Sequence, residues 1–465
     1  MPIRYFLQAF SFAALLSFSL CSFLHAQSTS VARILDSVSQ DNLSGHIQEL
    51  QRAGGHYSRV ALTPGNDSAV AYIYNAFRDI PGLTTVRLDT FFIAGASAPY
   101  DTRPQRNIVA TLAGRSDASK QILLGAHMDC SASRNPGGTW ASQWATVRAP
   151  GADDNATGVA VILELARLLG SSAFNVLNAY TVTFVAFGAE ESVPPYAGKI
   201  SHPGSKHYAA AAKTRGDQIL AMMCIDMIGY NGQHDYTNIV SNAASQDIGA
   251  AITAANATYG VGLLTNSTPF ASATFSDHAE FWANDYPAIC IIENNAPWDS
   301  HTYYSASPVY HTSADSFTTL NMRLVTKVAQ AVLGAVVSLA HITVTGGGGS
   351  PADLPSAFSL DQNYPNPFNG YTVIQYHIPA RGPAPTMEHS RVHLNLYSVL
   401  GRKVATLVDE AKTPGTYAIP FEPVGLASGI YFYRLQVFPL ESGNGGGAGD
   451  GHGEFTATRR LLLLR

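Results

Sequence analysis

Residues 150–158 read Pro-Gly-Ala-Asp-Asp-Asn-Ala-Thr-Gly and run directly into an apolar helical stretch, residues 159–169. The usual interpretation of such an acidic turn is a helix cap, in which Asp153, Asp154, Asn155 or Thr157 accepts hydrogen bonds from the first free amide groups. A carboxylate also has two oxygens and can bridge two cations about 3.5–4 Å apart, as in two-metal hydrolases. We select Asp154 as the bridging residue, although spacing alone does not separate it from Asp153.

Two polar pairs follow predicted buried strands. His127 and Asp129 are two residues apart, so their side chains leave a strand on the same side, and Asp129 can hold the imidazole while the other ring nitrogen faces a metal. A polar strand end with an incidental histidine is the alternative. Glu190 and Glu191 follow the apolar run 182–187 and must point different ways, so one can bind a metal while the other acts as general base. A solvated acidic loop would explain the same pair.

A lone carboxylate and a later histidine complete the group. Asp226 interrupts the apolar run 222–230 with no arginine or lysine nearby in sequence. A buried carboxylate without a partner is costly, so we favour a metal ligand over a structural role. His311 is ambiguous by itself, and we expect Asp315 or Ser316 to cap the last helix.

Together these residues supply two histidines and three carboxylates, with one glutamate to spare. They are enough to give each of two Zn²⁺ ions one histidine and one terminal carboxylate, with a further carboxylate shared. Nitrogen and oxygen ligands without thiolate suit zinc, with cobalt or manganese as possible substitutes. The sequence therefore predicts two zinc ions per chain.

The order of apolar segments predicts an α/β fold with a mixed, largely parallel sheet covered by helices on both faces. Residues 106–112 alternate like an exposed edge strand, two amphipathic helices precede them, and a last helix at about 318–341 closes the domain. Ligands bind beyond the carboxyl ends of the strands in such sheets, which is where His127, Glu190 and Asp226 fall. The predicted buried strands are at about 121–126, 181–187, 219–225 and 287–292, alternating with helices at about 157–169, 205–213, 244–257 and 277–284.

Composition allows two folded domains. The chain has 465 residues, of which 46% are apolar, and its net charge of −5 with 13% charged residues gives no basic field, so we do not expect it to bind nucleic acid. A Gly-rich linker is predicted at 346–355, between a domain at 27–345 and a second at 356–465. The second has short alternating segments typical of a small all-β sandwich, at about 371–377, 391–398, 402–408, 415–420 and 429–437.

The first 26 residues combine a positive charge, an apolar run and Ala26 before a suitable cleavage point, which predicts a secretory signal peptide. Lipid attachment at Cys21 and an uncleaved anchor are the alternatives. No later segment has about 18 uninterrupted apolar residues, so we expect no stable membrane insertion after signal removal. Three cysteines then remain, an odd number that defines no disulfide framework: Cys130, Cys224 and Cys290, the last two expected to be buried thiols.

The combined motif resembles peptidase family M28, the co-catalytic zinc aminopeptidases, over roughly residues 40–340. The segments that carry the resemblance are 127–129, 151–158, 190–191, 226–230 and 311–312. The resemblance implies that His127 and Asp226 bind one zinc ion, that Glu191 and His311 bind the other, and that Asp154 bridges them.

The same resemblance implies that Glu190 is the general base. A tyrosine near the last histidine stabilises the tetrahedral intermediate in some relatives, and Tyr310 is the candidate here. Asp129 would support His127. The connection 130–149 either shapes a specificity pocket or covers its rim.

The C-terminal region resembles the sorting domain of type IX secretion over about residues 356–465. The segments that carry this resemblance are 362–369, 397–404, 415–417, 426–433 and 459–465. It implies the type IX secretion machinery as a partner and export through the periplasm of an outer-membrane bacterium, to the medium or the cell surface.

The two resemblances imply a secreted zinc-dependent exopeptidase that removes N-terminal residues from peptide substrates. A glutaminyl cyclase resembles the same domain but works with one zinc, and a binding module on an inactive scaffold is a third hypothesis. Every ligand position is filled, which argues against the inactive scaffold. The tripeptide Ser-Asp-His at 276–278 suggests a serine triad, but three consecutive residues cannot adopt triad geometry, and we expect a helix cap there.

Overall fold

The structure of the protein is a computed structural model. The described residues are 30–55, 57–174, 176–293, 302–303, 305–344, 357–363, 366–369, 372–379, 390–412, 415–421, 423, 425–439 and 455–464. The expected signal peptide and the expected linker at 346–355 lie outside them. Contacts divide the chain into two compact units, Met1–Gly347 and Gly348–Arg465.

The first unit is α/β. Its helices are α1 (30–36), α2 (Gln40–Gln51), α3 (Pro64–Arg78), α4 (Trp140–Gln143), α5 (Thr157–Leu169), α6 (Pro203–Arg215), α7 (Gln246–Thr258), α8 (His278–Trp282) and α9 (Met322–Leu339). Its strands are β1 (Thr85–Phe91), β2 (Gln105–Leu112), β3 (Asp117–His127), β4 (Val176–Asn178), β5 (Tyr180–Phe187), β6 (Gln218–Ile225), β7 (Tyr236–Ser241), β8 (Leu264–Asn266), β9 (Ala288–Ile292) and β10 (Ile342–Val344).

Eight of these strands form one sheet in the order β1-β2-β5-β3-β6-β9-β7-β8. The four central strands, β5, β3, β6 and β9, are parallel, whereas β2 and β7 join them antiparallel on either side. The four strands predicted from continuous apolar runs are these central four. The expected fold class is confirmed.

Helices cover both faces of the sheet because the central strands are apolar on both. One hydrophobic cluster packs α2, α3, α5, α7 and α9 on one face, and a second packs α6 and α8 on the other. Cys224 and Cys290 belong to the second cluster as buried free thiols, as expected. Among the described residues α9 is the one helix long and apolar enough to cross a membrane, and 61% of it is buried inside the protein.

The position of β2 corrects one expectation. The alternation over residues 106–112 predicts an exposed edge, but β2 lies between β1 and β5, with Ile108 and Ala110 fully buried. The edge is β1 instead, in which Thr85, Arg87, Leu88 and Thr90 are exposed. Pairing with β1 covers the hydrogen-bonding edge of β2, and the hydrophobic clusters on the two faces of the sheet bury Ile108, Ala110 and Val109.

The second unit contains only strands among its described elements. They form a three-stranded sheet, β11-β12-β15, and a four-stranded sheet, β14-β13-β16-β17. Both sheets contribute to a single hydrophobic cluster, consistent with the expected β-sandwich. The bounds are β11 (Ser359–Leu360), β12 (Thr372–Ile378), β13 (Ser390–Ser398), β14 (Lys403–Lys412), β15 (Gly415–Phe421), β16 (Gly429–Pro439) and β17 (Phe455–Leu463).

Candidate metal centre

The predicted ligands meet at the carboxyl ends of the central strands. His127 ends β3, Asp226 directly follows β6, and the two glutamates follow β5 after a short turn. His311 comes from the segment between β9 and α9. All of them line one cleft of about 770 Å³ together with Asp154.

Asp154 lies between the two histidines. Its Oδ1 is 3.1 Å from His127 Nε2, and its Oδ2 is 3.0 Å from His311 Nε2. Each oxygen therefore faces a different imidazole, the arrangement that a carboxylate shared by two cations requires. The peptide bond from Asp154 to Asn155 is cis.

Two groups of possible ligands share this carboxylate. His127, Asp154 and Asp226 have donor atoms within 4.8 Å of one another, and so do Asp154, Glu191 and His311. His127 Nε2 is 3.3 Å from Asp226 Oδ1, and His311 Nε2 is 2.8 Å from Glu191 Oε1. Buried carboxylates and imidazoles that converge in this way fit divalent cations, since unneutralised buried charge is costly.

Two charged residues hold the turn that carries Asp154. The carboxylate of Asp315 accepts hydrogen bonds from the backbone N–H groups of Asp153 and Asp154, at 2.9 and 3.1 Å. The fully buried Arg59 donates from Nε to the Met128 carbonyl at 2.7 Å and from its two terminal nitrogens to the carbonyls of residues 150 and 151. Arg59 thus ties the strand end at His127 to the turn.

The expected cap of the last helix is corrected by these contacts. Asp315 supports the turn instead of capping the last helix, and Ser316 pairs with a neighbouring threonine hydroxyl. The last helix begins at Met322, where Asn321 accepts the Leu324 N–H group. At the other turn the cap of α5 is Asn155, which accepts from the Gly158 N–H group at 2.9 Å.

Asp129 orients the glutamate pair. Its oxygens accept hydrogen bonds from the backbone N–H groups of Glu190 and Glu191, at 3.0 and 3.1 Å. Its carboxylate also lies behind the His127 ring, as expected, but at 3.8 Å from Nδ1 it is beyond hydrogen-bond distance. The support that Asp129 gives therefore acts mainly on the glutamates.

The two glutamates point different ways. Glu191 faces His311, whereas Glu190 Oε1 is 3.5 Å from His202 Nε2 and belongs to neither ligand group. Burial raises the pKa of Glu190 well above its usual value, against the opposing charge of His127, and the neighbouring Glu191 raises it further. Burial also raises the pKa of Glu191 to about 7. A proton-accepting group thus lies beside the candidate ligands.

Attraction between opposite charges determines the ionisation of the three central residues, Asp154, His127 and His311. Burial opposes ionisation of Asp154, but hydrogen bonds from His127 and His311 hold its pKa below the usual range. The carboxylates act in the opposite sense on the imidazoles: burial lowers the pKa of His311, yet Glu191 and Asp154 raise it to about 10. In the absence of cations the imidazoles supply the positive charge that the carboxylates need.

Tyr310 lies against the second histidine. Its ring centroid is 3.8 Å from that of His311, and the Arg134 guanidinium lies 4.4 Å from the Tyr310 ring. Tyr310 lines the cleft, and burial together with the charge of Asp154 and the other carboxylates raises its pKa above the usual value. Its hydroxyl group therefore stays protonated and can donate a hydrogen bond.

The Ser-Asp-His tripeptide forms neither a triad nor a side-chain cap. Ser276 donates its hydroxyl hydrogen to Asp226 Oδ2 at 2.7 Å. His278 lies 2.8 Å from the carbonyl of Ala273 through Nε2, and the Asp277 side chain makes no capping hydrogen bond to α8. The serine instead fixes the orientation of a candidate ligand.

The connection 130–149 contributes no described residue to the cleft lining. Trp144 packs edge to face on Tyr100 at 5.2 Å, and Ser133 Oγ lies 3.2 Å from His311 Nδ1. Of the two expectations for this segment, the described contacts favour a rim that also orients His311.

Several residues of the centre are not among those that the sequence analysis indicates. Glu293 is fully buried directly after β9, accepts the Tyr230 N–H group, and has its pKa raised to about 8 by burial. Its position after an apolar run is the same signal that indicates Asp226 and could have found it. Arg59, His202 and Glu280 lie outside the strand ends, and no comparable signal marks them.

The comparison with known families matches a part of each compact unit. Residues 107–336 match peptidase family M28, and residues 362–437 match the secretion system C-terminal sorting domain. The uncharacterised protein YfbL of Escherichia coli is 30% identical over 270 residues, covering 53% of this chain and 74% of that protein. The chain belongs to peptidase family M28.

Further relatives carry activities in their names. A probable leucine aminopeptidase of Arthroderma otae is 30% identical over 244 residues, covering 51% of this chain. The match spans 57% of that relative, little more than half its length.

Solved structures share the fold of the first unit. The LapA aminopeptidase of Legionella pneumophila has a TM-score of 0.50 at 22% identity, covering 67% of this chain and 74% of that one. The glutaminyl cyclase of Porphyromonas gingivalis has a TM-score of 0.52 at 22% identity, covering 65% of this chain and 99% of that one. The fold is therefore common to aminopeptidases and cyclases.

Proposed function

We propose that this protein is a secreted aminopeptidase that uses two zinc ions to hydrolyse N-terminal residues from peptides. The observation that carries the proposal is Asp154, whose two oxygens face two histidines while each histidine has a terminal carboxylate of its own. The leucine aminopeptidase relatives and the sorting-domain match support it.

The ligand assignment follows the two groups. His127 and Asp226 would hold one zinc ion, Glu191 and His311 the other, and Asp154 both. Bound there, zinc would polarise the scissile carbonyl and lower the pKa of water to about 7.

Glu190 acts as the general base and then as the acid. Its backbone is fixed by Asp129, and its carboxylate lies in the cleft outside both ligand groups. It accepts a proton from the attacking water and delivers that proton to the leaving amine.

One further feature would contact the substrate. The Tyr310 hydroxyl would donate to the developing oxyanion of the tetrahedral intermediate. Its packing on His311 places the ring beside one ligand group.

The chain organisation is part of the proposal. Residues 1–26 would be a signal peptide, 27–345 the peptidase domain, 346–355 a linker and 356–465 the sorting domain. The match over 362–437 supports secretion or display at the cell surface. We propose the type IX machinery as the partner and the periplasm as the route.

A panel of aminoacyl chromogenic substrates tests the activity. We expect hydrolysis that a chelator abolishes and zinc restores. Glu190→Gln should lower kcat about 10²- to 10⁴-fold, the contribution of general acid–base catalysis, with zinc content unchanged. Glu410→Gln, at a half-exposed salt bridge in the second unit, is the matched control. Near-normal kcat for Glu190→Gln would overturn the assignment of the base.

Glutaminyl cyclisation is the competing function. Both ligand groups are complete, which favours two ions over the single zinc of the cyclase hypothesis. Peptides with an N-terminal glutamine separate the two by mass spectrometry. Pyroglutamate formation with no peptide hydrolysis, at one zinc ion per chain, would replace the aminopeptidase proposal.

A further inference from the structure

His202 lies in the cleft between two carboxylates from different elements. Its Nε2 is 3.5 Å from Glu190 Oε1, and its Nδ1 is 3.4 Å from Glu280 Oε1 on α8. The side chain is 10% exposed, and the outer oxygen of Glu280 is 4.0 Å from Lys206 Nζ. The imidazole therefore connects the proposed base to a second, partly neutralised carboxylate.

The backbone around His202 is fixed in an unusual conformation. His202 is the N-cap of α6 with φ of 45°, in the left-handed region that non-glycine residues rarely adopt. Its carbonyl accepts the Lys206 N–H group at 3.0 Å and the Ser205 hydroxyl group at 3.3 Å. These contacts hold the start of the helix while the ring projects into the cleft.

The start of α6 is also tied to the strand end that leads to Glu190. Asn107 donates to the Gly204 carbonyl at 3.0 Å and accepts the Gly188 N–H group at 3.0 Å. A β-carbon on Gly204 would lie 2.1 Å from the Gly188 carbonyl oxygen, so the two segments are in direct contact. The distance from His202 to Glu190 is thus set by packed backbone.

The Glu190 carboxylate needs such a partner. Asp129 fixes the backbone of Glu190, but three side-chain torsions remain free to rotate beyond it. Among the residues that the structure describes, His202 is the only basic side chain within 4 Å of this carboxylate. This ion-pair contact involves Oε1 and leaves Oε2 available for the proton of the attacking water.

We propose that His202 is a positioning residue, oriented by Glu280, that holds Glu190 in the rotamer required for proton transfer. The inference rests on the proposed role of Glu190 as base. Loss of the His202 side chain would disturb the chemical step and no proposed zinc ligand. We therefore expect it to lower kcat and to leave KM and zinc content unchanged.

Steady-state kinetics of the full-length zinc-loaded protein test the proposal. His202→Ala should lower kcat about 10- to 100-fold, because Glu190 would no longer be held in position for proton transfer, with KM and zinc content unchanged. His202→Gln keeps an N–H donor and should recover part of the loss. His207→Ala removes a half-exposed histidine of the same helix, which lies 3.6 Å from Asp89, and should leave kcat unchanged.

A double substitution separates positioning from a general structural effect. If His202 acts through Glu190, then His202→Ala adds no further loss to Glu190→Gln. Two outcomes would overturn the proposal while the aminopeptidase assignment stands. One is a kcat in the double variant that is lower than that of Glu190→Gln by the same factor that His202→Ala shows alone, and the other is a wild-type kcat for His202→Ala. A wild-type protein that binds two zinc ions and hydrolyses no peptide would overturn both.

Discussion

Four carboxyl groups lie around one cleft, and all four are largely buried. They belong to Asp154, Glu190, Glu191 and Asp226. Like charges at such separations raise one another's pKa and oppose folding unless cations lie between them. His127 and His311 partly fulfil that role in the metal-free protein. The carboxylates that favour metal binding thus destabilise the folded protein when no metal is bound.

If Asp154 is shared by two zinc ions, its replacement should change the number of zinc ions bound per chain. Asp154→Ala removes an oxygen from both ligand groups, so we expect zinc to fall from two ions per chain to none after dialysis. His127→Ala and His311→Ala each affect one group and should retain about one ion. Elemental analysis of dialysed protein measures this. Asp67→Ala, a half-exposed residue paired with Arg103, is the control, and one ion retained by Asp154→Ala would contradict bridging.

Glu293 predicts a pH dependence of stability in the metal-free protein. Burial raises its pKa to about 8 from 4.5, so the folded state holds a proton that the unfolded chain releases. The stabilisation is complete below the unfolded pKa and is lost as pH rises through about 8. Its contribution falls by up to about 1.4 kcal/mol per pH unit between these limits.

Glu293→Gln should therefore flatten this dependence, because the amide is neutral throughout. Urea unfolding with chelator at pH values from about 5 to 8.5 would show a smaller fall in the free energy of unfolding than in wild type. Glu410→Gln should retain the wild-type slope. Equal slopes for Glu293→Gln and wild type would show that Glu293 is ionised in the folded protein.

Packing between α5 and β6 brings the two halves of one ligand group together. Asn155 donates to the Ile225 carbonyl at 2.8 Å and caps α5 through Gly158. A β-carbon on Gly158 would lie 2.2 Å from the same carbonyl oxygen. This close approach sets the separation between Asp154, before the helix, and Asp226, after the strand.

Gly158→Ala should force these elements apart. We expect the free energy of unfolding to fall by about 1–3 kcal/mol, as in overpacked interiors, with weaker binding of the zinc ion that we propose for His127 and Asp226. Gly45→Ala, within α2 where a β-carbon would have no atom within 4 Å, should raise stability by up to about 1 kcal/mol. Urea unfolding and zinc titration measure both. Unchanged stability in Gly158→Ala would mean that α5 can shift freely.

The strands and the centre differ in how far sequence patterns predict them. The central strands are recognisable because burial on both faces demands continuous apolar residues. In β7 every residue is buried, yet Thr237 and Asn238 are polar and find partners only in the folded sheet. No local pattern distinguishes such a strand from a loop.

The same distinction applies to the side chains of the centre. Ligand candidates directly follow strands, so the sheet topology alone brings them together. Arg59 and His202 reach the centre through tertiary packing. Arg59 contacts Met128, 69 residues away in sequence, and His202 lies beside Glu190, 12 residues away. Their roles depend on tertiary contacts that a sequence pattern does not encode.

Every contact described for the centre comes from the first compact unit. The second unit has its own hydrophobic cluster, with Tyr376 and Tyr433 among its buried residues. Compact units with separate cores generally fold independently. We therefore expect the proposed hydrolysis to depend on the first unit and the proposed sorting on the second.

Shortening the chain after Val344 should separate the two functions. The shortened protein should bind zinc and hydrolyse aminoacyl substrates with kcat/KM within about twofold of the full-length protein, since its core and ligands are intact. In a host with type IX secretion, the full-length protein should reach the surface or the medium, and the shortened one should remain in the periplasm. Fractionation and activity assays on both chains measure this. Export of the shortened chain would contradict a sorting role for residues 356–465, and loss of zinc from it would show that the first unit depends on the second.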